Sequence, residues 1–109
     1  MNSQNAVTRL AALAQESRLA IFRLLVKKGP DGLCPGDIGS KLDLAPATLS
    51  FHLKELSNAG LLKWRQDGRF LYYSPDFKVM NALLGYLTEN CCEGRGCEVD
   101  CDAATCKET

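Results

Sequence analysis

Pro46-Ala47-Thr48-Leu49-Ser50-Phe51-His52-Leu53-Lys54-Glu55-Leu56 is the stretch that decides the fold. Pro46 suits the first turn of a helix, where its missing N–H costs nothing and its fixed φ is already helical. Leu49, Leu53 and Leu56 then recur at i, i+4 and i+7, a narrow apolar stripe that Ala59 and Gly60 bring to an end. With Leu49 taken as the inward direction and about 100° per residue, Ala47, Phe51 and Lys54 point outward, and Thr48 and Ser50 lie on the flanks. His52, the single histidine, falls about 60° from the leucine stripe. That position favours a packed ring with one satisfied nitrogen over base readout, and one histidine anchors neither a catalytic nor a metal site.

Upstream, Pro35 opens a shorter helix to about Leu42 that buries Ile38 and Leu42, and Asp43-Leu44-Ala45 joins it to the Pro46 helix. Two short helices across such a turn make a helix-turn-helix candidate. Before them the spacing predicts a helix from about Glu16 to Lys28, with Ile21, Leu24 and Leu25 inward and Phe22 flanking. Lys27 and Lys28 suit the negative end of its dipole, and Gly29-Pro30 stop it. Val7, Leu10, Leu13 and Ala14 mark a first helix of about ten residues, which needs packing to persist.

Downstream the period changes from helical to alternating. Leu61 to Arg65 and Phe70 to Ser74 are β-prone arms about Gln66-Asp67-Gly68-Arg69, where Asp67-Gly68 predicts a type I′ hairpin turn with Arg65 and Arg69 beside its tip. Asp76 is a good N-cap for a last helix. Along it Phe77, Met80, Leu84, Leu87 and Cys91 recur at spacings of three and four, a seam able to pack against an identical helix or against the chain's own core. With 109 residues the core is modest, which favours the dimer interface.

The element order predicts a mainly α protein with a β-hairpin, a winged helix-turn-helix of order α-α-α-α-β-β-α that forms a homodimer. One helix of such a fold enters the major groove of double-stranded DNA while the hairpin follows the backbone or the minor groove. Ala47, Thr48 and Phe51 are placed to meet thymine methyl groups, Ser50 to bond a base or phosphate, Lys54 to neutralise a phosphate, and Arg65 and Arg69 to serve the wing. Charge agrees with that partner: residues 1–88 carry a net charge of plus four, whereas the remainder carries minus four.

Five of the six cysteines, Cys91, Cys92, Cys97, Cys101 and Cys106, crowd the acidic last nineteen residues. The expected division is therefore a DNA-binding and dimerisation domain over 1–90 and a cysteine-rich tail over 91–109. No signal-peptide pattern or membrane-spanning apolar run is present, so the expected location is the cytoplasm, with no membrane partner. Thiols there stay reduced, and a cluster points to metal binding or redox chemistry rather than to disulfides. Nothing resembles a phosphate-cradling glycine loop or a paired cysteine and histidine, and an enzyme is not expected.

Glu16-Ser17-Arg18-Leu19-Ala20-Ile21-Phe22-Arg23-Leu24-Leu25, Leu49 to Leu56, and the hairpin with Asp67-Gly68-Arg69 resemble the ArsR/SmtB family of dimeric winged-helix repressors, over about residues 6–90. The resemblance implies a homodimer joined through its first and last helices, here Val7 and Leu10 with Phe77, Met80, Leu84 and Leu87. It also implies a repressor that binds inverted-repeat operator DNA and leaves it when a metal or metalloid binds. The family's last-helix zinc site is absent, because 76–90 holds no histidine. Its third-helix arsenic motif, Leu-Cys-Val-Cys-Asp, is matched by Leu33-Cys34-Pro35-Gly36-Asp37, where Gly36 replaces the second cysteine and Cys34 reads as a small residue at the start of a helix.

Cys91, Cys92 and Cys97 resemble the thiols of arsenic-responsive members that lie just beyond the last helix. Three thiolates suit As(III), and Sb(III), and the glycines at 94 and 96 let the chain turn back. Soft thiolates equally suit Cd, Pb or Zn, two of them suffice for a methylated arsenical, and reversible thiol oxidation is a metal-free alternative. Cys101 and Cys106 have no family counterpart.

Overall fold

The computed structural model describes residues 1–89; Cys91, Cys92 and Cys97, like Cys101 and Cys106, lie outside the described residues. The elements are α1 (Ser3–Leu13), α2 (Glu16–Lys28), α3 (Pro35–Leu42), α4 (Pro46–Asn58), β1 (Leu62–Asp67), β2 (Phe70–Pro75) and α5 (Phe77–Leu87), in the expected order. No helix among the described residues is long and apolar enough to cross a membrane.

Local chemistry sets most boundaries. The Asn2 and Asp76 carboxamide and carboxylate accept from the Asn5 and Val79 amides at 2.8 and 3.3 Å, starting α1 and α5. The Gln15 side chain does the same for α2, accepting from the Arg18 amide at 2.8 Å. Lys27 and Lys28 occupy its last turn, and Gly29 ends it at φ +92°. Pro35 and Pro46 open α3 and α4 without a side-chain cap. Between those two helices Asp43 takes the left-handed conformation, φ 56° and ψ 50°, which makes the turn short, and the Leu44 amide bonds the Gly39 carbonyl at 3.0 Å.

Ile21, Phe22 and Leu25 of α2, Ile38 of α3, Leu49, Leu53 and Leu56 of α4, and Leu61 and Leu62 form the core. The α4 stripe is as expected. In α2, Phe22 is buried and Leu24 only half-buried, the reverse of the expected order, because α2 is covered from both the α3 and the hairpin side. Leu42 is likewise half-buried. Removing a fully buried side chain such as Leu25 or Leu56 costs about 2–5 kcal/mol for Leu→Ala.

The hairpin turn differs from expectation by one residue. Asp67 pairs with Phe70, so the two loop residues are Gly68 and Arg69. Gly68 has φ +65° and Arg69 is not left-handed, the φ pattern of a type II′ rather than a type I′ turn. The glycine therefore sits first in the loop, Asp67 ends β1 and Arg69 lies in the turn itself. At its other end the hairpin is rooted by a two-way backbone bridge, Leu33 amide to Tyr73 carbonyl at 3.0 Å and Tyr73 amide to Leu33 carbonyl at 2.9 Å.

Candidate nucleic-acid interface

Helix α4 is half committed to the core and half free. Leu49, His52, Leu53 and Leu56 are buried, whereas Ala47, Thr48, Ser50, Phe51 and Lys54 are all exposed. Ala47, Phe51 and Lys54, expected outward from the helical rotation, and Thr48 and Ser50, expected on the flanks, are thus all accessible. The Ala45 and Pro46 side chains give no cap, so the first-turn N–H groups are left without a side-chain acceptor at the positive end of the helix dipole.

His52 is packed, as expected, at 7% exposure. Its Nδ1 lies 3.4 Å from Arg18 Nη1, and Arg18 Nε donates to the Ala12 carbonyl at 2.7 Å. Arginine cannot accept, so in this contact the imidazole Nδ1 is the acceptor. Arg9 on α1 makes a second tie, Nε donating to the Ala59 carbonyl at 3.1 Å beyond the end of α4. Sequence reasoning missed both arginines, because nothing local marks a guanidinium whose partner lies fifty residues away, as for Arg9, or thirty-four, as for Arg18 and His52.

The wing separates the two arginines assigned to it. Arg65 Nη2 donates to the Asp31 carbonyl at 3.0 Å, its guanidinium carbon stands 4.5 Å from the Tyr72 ring centroid, and Asp67 lies 3.9 Å away. It therefore clamps the strand to the segment before α3. Arg69 is exposed in the turn. The strand register also puts Lys63 on the same face as Arg65, a further exposed cation that the alternation could have revealed. Cys34, half-buried at the N-cap of α3, neighbours Tyr72; its negative charge when ionised and its hydrogen bond push the phenol above the ordinary value of 10.0.

Helix α1 packs against both α4 and α5. Leu83 is buried, Val79 and Met80 are half-buried against the core and Phe77 is half-buried. Leu84 and Leu87, each 54% exposed, and Val7 and Leu10, at 62% and 39%, remain open. Among the described residues no group of three His, Cys, Asp or Glu side chains is placed to hold a metal ion.

A family model described as a helix-turn-helix domain matches residues 13–63. The uncharacterized HTH-type transcriptional regulator YceK of Bacillus subtilis (strain 168) is 44% identical over 63 residues, 58% of this chain and 62% of that protein, less than two thirds of its length. The arsenical resistance operon repressor of the same organism is 32% identical over 84 residues, covering 77% of this chain and 76% of the repressor. In structure, the homodimeric winged helix-turn-helix DNA-binding domain of Mb0332 from Mycobacterium bovis, a possible ArsR-family transcriptional regulator, superposes with a TM-score of 0.63 at 25% identity, over 86% of this chain and 87% of that one.

Proposed function

Because the chain belongs to the ArsR/SmtB family of winged-helix, DNA-binding transcription regulators, we propose that it is a repressor that binds operator DNA as a homodimer. It leaves the operator when As(III), or Sb(III), is captured by the thiolates of Cys91, Cys92 and Cys97. The observation that carries the DNA half is the exposed face of α4, where Ala47, Thr48, Ser50, Phe51 and Lys54 stand clear of the core beside a wing bearing Lys63 and Arg69. The N-terminal turns of α4 enter the major groove, and Arg69 in the hairpin turn reaches the neighbouring backbone or minor groove.

A two-fold dimer supplies two such helices and reads an inverted repeat. Support for that dimer comes from the apolar residues left open on α1 and α5, and from the homodimer formed by the Mycobacterium bovis relative. In this arrangement residues 1–90 bind DNA and dimerise, and 91–109 carry the inducer site. The donor chemistry fits a trivalent metalloid: three soft thiolates within seven residues match its preference for sulfur. The arsenical repressor among the relatives points the same way. Leu84 and Leu87 lie on the helix that leads to those thiols, so a change there bears directly on the dimer seam.

A typical coupling of about 1–3 kcal/mol corresponds to roughly 5- to 150-fold weaker operator binding. The test is operator titration of purified protein with arsenite, antimonite, cadmium, zinc or peroxide, repeated with each tail cysteine changed to serine. The expected result is release by arsenite and antimonite that requires Cys91, Cys92 and Cys97 but not Cys101 or Cys106. Release by peroxide alone would replace the metalloid with thiol oxidation, and operator affinity indifferent to all five would remove the tail from the mechanism.

A further inference from the structure

We infer that Phe51 is the specificity-determining residue of α4 and that what it recognises is the 5-methyl group of thymine in the major groove. This rests on the operator-binding reading above and adds what is read there.

The outer face of α4 carries little that can hydrogen-bond a base edge in two places. Bidentate readout uses Arg or Lys for guanine and Asn or Gln for adenine. The exposed positions of the first turns are Pro46, Ala47, Thr48, Ser50 and Phe51, and none is of those types. Lys54 is eight residues past Pro46, about 12 Å along the axis, beyond the N-terminal residues with which a recognition helix contacts base edges. Asn58, the amide of this helix, is about 18 Å along and beyond it. What remains in the N-terminal turns is Phe51, about 7.5 Å along, flanked by the Ala47 and Thr48 methyl groups. That surface can distinguish bases chiefly by apolar contact, and thymine alone presents a methyl group there.

The posture of the ring agrees with that chemistry. Phe51 is 55% exposed, the one large apolar side chain of α4 left outside the core. Its ring leans on the His52 imidazole, centroids 5.5 Å apart at 59°. His52 is buried and held by Arg18, which is held by the Ala12 carbonyl. A side chain left outside the core yet braced from below projects a defined apolar edge.

The experiment begins by selecting duplexes from a random pool with the full-length protein, then replaces each selected thymine with deoxyuridine, which lacks only the methyl group. At one position per half-site the wild type should bind about fourfold more weakly per methyl removed, and about fifteenfold when both half-sites are changed. Phe51→Ala should bind the thymine duplex more weakly, ignore the substitution and keep the salt dependence of the wild type, which reports intact phosphate contacts. Phe51→Leu should restore part of the discrimination. A selected duplex bound equally with deoxyuridine, or methyl discrimination that survives in Phe51→Ala, would overturn the assignment while leaving operator binding standing. Failure to select any sequence would overturn the operator-binding reading and this inference together.

Discussion

Gly32 and Gly36 stand four residues apart, and a methyl group at each has opposite consequences. Gly32 is buried at φ +78°, and a Cβ there would sit 2.6 Å from the Tyr73 carbonyl oxygen that bonds Leu33. Gly32→Ala is expected to destabilise by on the order of 2 kcal/mol or more, combining left-handed strain with loss of the bridge that roots the wing. Gly36, in the first turn of α3, has open space around it and no positive φ. Gly36→Ala is expected to be neutral or to stabilise by up to about 1 kcal/mol. Urea denaturation with unchanged slope checks both, and equal midpoints for the two variants would show that the bridge contributes nothing. At this scale the outward direction of Phe51 was legible because α4 is regular, so a rotation from Leu49 sufficed. The brace beneath it was not, since Arg18 is far from His52 in sequence.

Among elements, the hairpin shows where local signals stop. Asp67-Gly68 and Gly68-Arg69 are both acceptable turn pairs; the Leu33–Tyr73 bridge and the pairing of Leu62 with Pro75 select the second. The shift moves Arg69 into the turn and leaves Arg65 as the clamp. Arg69→Ala is therefore expected to leave stability unchanged and to lower the slope of log affinity against log salt by about 0.9 for each phosphate it no longer neutralises. Arg65→Ala should instead lower the midpoint of unfolding, because a charged hydrogen bond to the Asp31 carbonyl is worth about 1.5–3 kcal/mol when intact, with discounting for its exposed position. Matching salt slopes for wild type and Arg69→Ala would place the turn away from DNA. The wing also explains why Leu62 is buried while Trp64, on the same face, is 59% exposed: the strand runs out past the body.

For the whole molecule, the apolar residues divide into those the chain covers itself and those it leaves open. Val79 and Met80 pack α5 on the core and Leu83 is buried, whereas Leu84 and Leu87 are each more than half exposed, next to α1 with Val7 and Leu10. Leu84→Glu should leave the protomer folded, because the side chain touches little within it. Across a two-fold seam it would bury an unpaired carboxylate from each protomer, costing several kcal/mol, and the dimer dissociation constant should rise by at least about 100-fold. Sedimentation equilibrium reads this, with operator affinity falling in parallel. An unchanged constant would place the protomer contact elsewhere.

Helix existence and order, the cap at Asp76, the first-turn prolines Pro35 and Pro46, the α4 stripe and its outer face all followed from the sequence by itself, because each depends on neighbours within one or two turns. Only the tertiary structure decided that Phe22 rather than Leu24 fills the core, that Gly68 opens the turn, that Arg65 clamps while Arg69 stays free, and that Arg9 and Arg18 tie α1 to α4. Those choices depend on groups from different elements meeting in space, where a backbone carbonyl or a ring edge, invisible to any local pattern, selects among side chains that the sequence leaves equivalent.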